Sequence, residues 1–161
     1  MIVIADTGPI NYLIQIEQID VSPKLYGRIL APPSVSAELQ DSNAPERVRL
    51  WIGGPPVWLE VRAPARPPDA ALMQVRLGAG ERDAIVLAQE LGADEVIIVD
   101  ESRGRREASK RQLHVIGTLG VLRAAADQGL LDFRQATAQL RATNFRFTRE
   151  VLDRLIRGEE I

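Results

Sequence analysis

The chain has 161 residues, no cysteine and a formal net charge of −2. That length points to one domain, residues 1–161, with a buried core and no need of staples; missing thiols exclude disulfides and thiolate metal sites, and the small charge gives no whole-chain signature of a nucleic-acid binder. The apolar opening lacks the basic segment and cleavage site of a signal peptide, and no apolar run approaches the roughly 20 residues of a membrane span, so a cytoplasmic protein without a membrane partner is expected.

Residues 2–5 (IVIA) are a short apolar run that reads as a buried strand. Asp6 or Thr7 can cap the helix that follows over 11–17, and Pro9 suits its first turn. Residues 28–31 form a weak second strand. Pro32-Pro33 stops it, and a helix over 34–40 begins with Ser34 as its cap. A helix over 45–52 ends at Gly53-Gly54-Pro55-Pro56, and residues 57–61 alternate like a strand. The proline-rich stretch 63–68 is a connection, too short to separate domains.

Helices over 69–77 and 81–91 are divided by Gly78-Ala79-Gly80. Residues 96–99 are four apolar residues, three of them β-branched, and form the clearest strand. A short basic helix (102–110), a strand (113–116) and a helix from Gly117-Thr118 to about residue 128 follow, with Gly129 ending the last. Amphipathic helices over 133–142 and 149–156 close the chain, in a C-terminal segment of about 132–161 that packs on the domain. His114 lies mid-strand without partner ligands and reads as structural, while Trp51 and Trp58 flank the GGPP turn as core or interface residues.

Strands alternating with helices predict a three-layer α/β/α fold around a central, mainly parallel sheet. Ligands in such folds sit beyond the carboxyl ends of the strands. Asp6 follows the first strand and Asp100 follows strand 96–99, so a parallel sheet hangs both carboxylates over one edge. Glu38, one turn into its helix, is read either as a solvated carboxylate or as a third member. In GAGERDAIVLAQEL, Glu81 falls on the stripe of Ala84, Ile85 and Ala88 and faces the sheet, either as an acid favoured by the helix N-terminus or as a ligand. Asp83 lies at the rim of that stripe, facing water or reaching in from the side.

Asp6, Glu38, Glu81 and Asp100 therefore form a candidate catalytic and metal-binding set, with Asp83 as a further candidate ligand. Clustered carboxylates raise one another's pKa unless cations neutralise them. All-oxygen ligands suit Mg²⁺ or Mn²⁺, and two such ions about 4 Å apart can clamp both oxygens of a phosphodiester displacement. Ser102, Arg103 and Arg105 open the helix directly after Asp100. Backbone N–H groups there attract anions, and arginine forks match phosphate oxygens. Carboxylates for metal beside arginines for phosphate are what a nuclease requires.

The segments IADTGPI, VSAEL, GAGERDAIVLA, IIVDESRGR and HVIGTLGVL stand in the order and rough spacing of the PIN domain, and the chain most resembles its VapC-like branch. The likeness extends to the tail, LRATNFRFTREVLDRLI. It implies a Mg²⁺- or Mn²⁺-dependent endoribonuclease, frequently the toxin of a type II toxin–antitoxin pair and frequently a homodimer, with RNA as substrate and an antitoxin protein as partner. Asp6, Glu38, Glu81 and Asp100 match the family's four acids, and Thr7 and Ser102 match small hydroxyl residues near its metal site. Two positions depart from the pattern: Glu81 stands where many relatives have Asp, and Glu101 replaces the second acid of an Asp-Asp doublet. These departures leave room for a non-catalytic RNA-binding or partner-binding domain. A small-molecule phosphohydrolase with Asp6 as nucleophile would need a second Asp where Gly8 stands.

Overall fold

A computed structural model describes residues 1–92 and 94–159. Among the described residues there are five strands and ten helices, and the chain runs β1 (Ile2–Ala5), α1 (Thr7–Gln15), α2 (Val21–Tyr26), β2 (Ile29–Ala31), α3 (Pro33–Leu39), α4 (Glu46–Gly53), β3 (Leu59–Val61), α5 (Ala70–Met73) and α6 (Ala79–Leu91). It continues through β4 (Glu95–Ile98), α7 (Ser102–Lys110), β5 (His114–Ile116), α8 (Thr118–Asp127), α9 (Phe133–Arg141) and α10 (Arg149–Ile156). The last two residues of the expected C-terminal segment 132–161 lie outside the described residues.

The strands form a five-stranded sheet in the order β3-β2-β1-β4-β5, with every pair parallel. The expected α/β/α architecture is thus present. The period-2 geometry of a strand divides the apolar residues between the two faces. Val3, Ala5, Ile29, Ala31 and Ile98 join one core, with residues of α1, α3, α4, α8, α9 and α10. Ile4, Leu30, Ile97 and Val99 join the other, with residues of α5, α6 and α7. That is why β1 and residues 96–98 of β4 read as unbroken apolar runs rather than alternating ones: both of their faces are covered.

The chain winds outward from β1 to β2 and β3, then returns to add β4 and β5 on β1's other side. The β1/β4 boundary is therefore the switch point, where adjacent crossovers diverge and open a crevice. Ala5 pairs with Ile98, and Asp6 N donates to Ile98 O at 3.0 Å. Asp6 and Asp100 consequently leave neighbouring strands at that crevice.

Several local expectations are corrected. The first helix runs Thr7–Gln15 rather than over 11–17; Asp6 occupies the expected N-cap position in extended conformation, but its side chain makes no capping bond. Helix α3 starts at Pro33, so Ser34 lies inside the first turn and its hydroxyl reaches Ala79 O at 3.5 Å instead of capping. Helix α5 covers four residues, not 69–77, because the chain must reach Gly78 in extended conformation (φ −64°, ψ 156°) at the N-cap of α6. His114 is exposed on the edge strand β5. Trp51 and Trp58 pack on each other, with ring centroids 5.8 Å apart, against the first core.

Candidate active site

The crevice holds a pocket of about 250 Å³ lined by Asp6, Glu38, Glu81, Asp100 and Glu101, together with Gly8, Asn11, Tyr12 and Gly78. The four acids expected to converge come from four elements. Asp6 follows β1, Glu38 lies on α3, Glu81 on the first turn of α6, and Asp100 follows β4.

Glycines let these elements approach. A Cβ on Gly80 would lie 2.9 Å from Asp6 Oδ1, 2.9 Å from Glu38 Oε2 and 3.1 Å from Thr7 Oγ1. The Asp6 and Glu38 oxygens are thus within about 6 Å of one another, each being 2.9 Å from that point. A Cβ on Gly104 of α7 would run into Glu81 Oε2 and stand 3.1 Å from Val99 Cγ2. Neither glycine was singled out in the sequence as a site residue. The signal available was Gly80 immediately preceding the acid at 81.

Each acid is held differently. Asp6 is 6 % exposed, and burial pushes its carboxyl up from 3.8 to about 7, against the Thr7 backbone N–H and with Glu81, Glu38 and Asp100 adding like charge. Glu38 accepts from the Gly80 N–H at 3.1 Å through Oε1 and from the Thr7 hydroxyl through Oε2. Glu81 uses Oε1 to accept from Gly78 N at 3.2 Å, so the N-terminal role open in the sequence is realised by one oxygen. Its Oε2 is buried without a hydrogen-bond partner. Burial raises the Glu81 carboxyl, opposed by the Gly78 N–H and reinforced by Glu101 and Glu38. Burial also raises Asp100, opposed by two bonds from Thr118: N–H to Oδ1 at 2.7 Å and Oγ1–H to Oδ2 at 2.6 Å. The sequence marks Thr118 only as a helix start, since nothing in a linear sequence links it to an aspartate eighteen residues earlier.

The remaining candidates divide. Asp83 does not line the pocket; its carboxylate lies 3.8 Å from Arg82 Nε. Thr7 is tied to Glu38 at the pocket edge. Arg105 donates from Nη1 to Val99 O at 3.1 Å and offsets part of the Asp100 charge. Arg103 donates to Arg76 O at 3.0 Å and lies near enough to Glu81 to lower its carboxyl. Ser102 is exposed at the first position of α7. Glu101 lines the pocket and adds negative charge to it.

Among the described residues, no three acidic or histidine side chains are gathered closely enough to hold a metal ion as they stand. The donor chemistry nevertheless fits a hard divalent cation. Every acidic ligand offers oxygen, the Glu81 Oε2 atom is buried and unpartnered, and the raised carboxyls are those that a cation would return to the ionised form.

Acids thus crowd into the switch-point crevice of a parallel α/β sheet, with the guanidiniums of Arg103 and Arg105 near enough to act on them. A family model described as a PIN domain matches residues 2–160, and the chain belongs to the PIN-domain family. PIN domains are generally nucleases, hydrolases that typically use divalent metals, and membership points to a nuclease here. No curated protein and no solved structure matches the chain significantly. No described helix is long and apolar enough to cross a membrane.

Proposed function

We propose that the chain is an endoribonuclease of the VapC-like type, the toxin of a type II toxin–antitoxin pair working in the cytoplasm as a homodimer. RNA is its substrate and an antitoxin protein its partner. The convergence of Asp6, Glu38, Glu81 and Asp100 on one pocket at the switch point carries this reading. In it, those four acids hold Mg²⁺ or Mn²⁺, and Asp83 stays at the rim. The bound cations would supply charge stabilisation and an acidified water. Thr7 orients Glu38, Thr118 orients Asp100, and Ser102, Arg103 and Arg105 meet the phosphate backbone from the start of α7.

A fluorescent single-stranded RNA incubated with Mn²⁺ or Mg²⁺ tests the proposal. Cleavage should vanish in excess EDTA and in Asp6→Asn and Asp100→Asn. Cleavage that persists in EDTA would reject it. That no three acids among the described residues already gather closely enough to hold a metal favours one alternative, a non-catalytic RNA-binding domain. It would show salt-sensitive binding without turnover, and no rise in melting temperature beyond what weak ion binding gives.

A further inference from the structure

A second cavity, of about 450 Å³, opens beside the acid pocket and shares two walls with it, Asn11 and Glu38. Its size lies within the roughly 300–1,000 Å³ of small-ligand sites. Its lining is unlike that of the acid pocket. Four carboxamides face it, Asn11, Gln15, Asn43 and Asn144, with Asp41 at its side and Ala44 and Pro45 as apolar surface. No arginine or lysine is among the described residues lining it, so it is not built for a phosphate.

The carboxamides come from three places in the chain and retain bonding capacity. Gln15 Nε2 donates to Asn11 Oδ1 at 3.1 Å, which leaves the Asn11 amide group as donor. Tyr12, a wall of the acid pocket, donates its hydroxyl to Asn144 Oδ1 at 2.9 Å, and its ring packs edge-on to Phe145 at 4.9 Å. These contacts pin the loop between α9 and α10 beside the acids. Arg146 of that loop lies close enough to Tyr12 to act on its hydroxyl electrostatically. The Asn43 side chain makes no bond to any described residue; only its backbone N–H does, to Asp41 Oδ1 at 2.8 Å. A carboxamide offers a donor and an acceptor side by side, the pattern that pairs with the N6/N7 edge of adenine, whereas guanine is matched by arginine or lysine. Unpaired RNA bases are read by such edge contacts.

We propose that this carboxamide groove is a base-reading subsite, which takes one unpaired adenine of the substrate strand next to the phosphodiester held at the acid pocket. The proposal rests on the nuclease reading above and adds a determinant of where the strand is cut.

Two measurements test it separately from that reading. Cleavage sites are mapped on a random-sequence single-stranded RNA for the wild type, Asn43→Ala and Asn144→Ala. The wild type should favour adenine at one position flanking the cut by about fivefold or more, the lower end of one bidentate contact. Both variants should lose that bias and keep the metal requirement. No adenine bias in the wild type, or the same bias in both variants, overturns the proposal. Independently, tetra-adenylate and tetra-uridylate are titrated into the wild-type protein in excess EDTA, which withholds the metal needed for cleavage, while the side-chain amide signals of Asn43 and Asn144 are followed by NMR. Larger shifts with the adenine strand support the subsite even if no RNA is cleaved, which would remove only the nuclease reading. Equal shifts, or none, overturn it.

Discussion

Asp6 occupies a costly position for a carboxylate. It stands at an N-cap without using its side chain as a cap, buried among three other acids. Its carboxyl, near 3.8 in an unfolded chain, titrates at about 7 in the fold, so the native state holds a proton that the unfolded state has released. The stability present below pH 4 is therefore lost as the pH rises towards 7. From 3.8 to about 7, the loss at higher pH is at most about 4 kcal/mol. Asp6→Asn without metal should melt higher than wild type at pH 8 and equally at pH 4; a lower melting temperature at pH 8 would contradict this account. At Asp100 the direction of the pH effect is the same, and Thr118 opposes it. Thr118→Val removes the 2.6 Å bond and keeps the backbone one. It should weaken metal-dependent cleavage about 10–100-fold, read from the metal concentration needed for half-maximal rate. Asp6 and Asp100 were legible because each follows a short apolar, β-branched run that reads as a buried strand. Glu81 was legible because a carboxylate on an apolar stripe calls for a partner. Thr118 was not, because its role exists only once β4 and β5 lie side by side.

At the scale of elements, the site depends on how closely α6 and α7 approach the strand ends. Gly80→Ala would press a methyl against Asp6, Glu38 and Thr7, and should destabilise by about 1–3 kcal/mol while abolishing cleavage. Gly129 is a control: it ends α8 with φ +72° and open space around it. Gly129→Ala should cost about 1–2 kcal/mol from backbone strain alone and leave cleavage unchanged. Chemical denaturation and a cleavage assay on the same samples separate the two cases. Elements with a strong period were readable: α7 and α10 begin and end where their amphipathic patterns do. Helix α2 escaped notice because six residues with Pro23 in the first turn carry too little periodicity. The α3 start was misplaced because Ser34 resembles a cap, whereas Pro33 at the first helical position fixed the entry one residue earlier.

At the scale of the whole molecule, a net charge of −2 conceals a division of labour. Acids gather at the switch point, while Arg103 and Arg105 stand beside it and Arg146 lies on the neighbouring loop. RNA affinity should accordingly fall as salt rises, and Arg146→Ala should flatten the slope of log affinity against log salt by up to about one unit. Fluorescence anisotropy across a salt series, in EDTA to prevent turnover, measures it. Parallel pairing was legible from the alternation of strands and helices. The strand order was not, because local pattern does not say on which side of β1 the fourth strand will pair. That choice places Asp6 and Asp100 just beyond the ends of adjacent strands, and the proposed function follows from it.

In the proposed function, the pocket bounded by Asp6, Glu38, Glu81 and Asp100 holds a divalent cation. Anomalous diffraction from crystals grown with Mn²⁺ measures this most directly. A manganese peak is expected within coordinating distance of the Asp6 and Asp100 carboxylates, and none in Asp6→Asn crystals. Manganese bound only elsewhere, with the four carboxylates left uncoordinated, would contradict it.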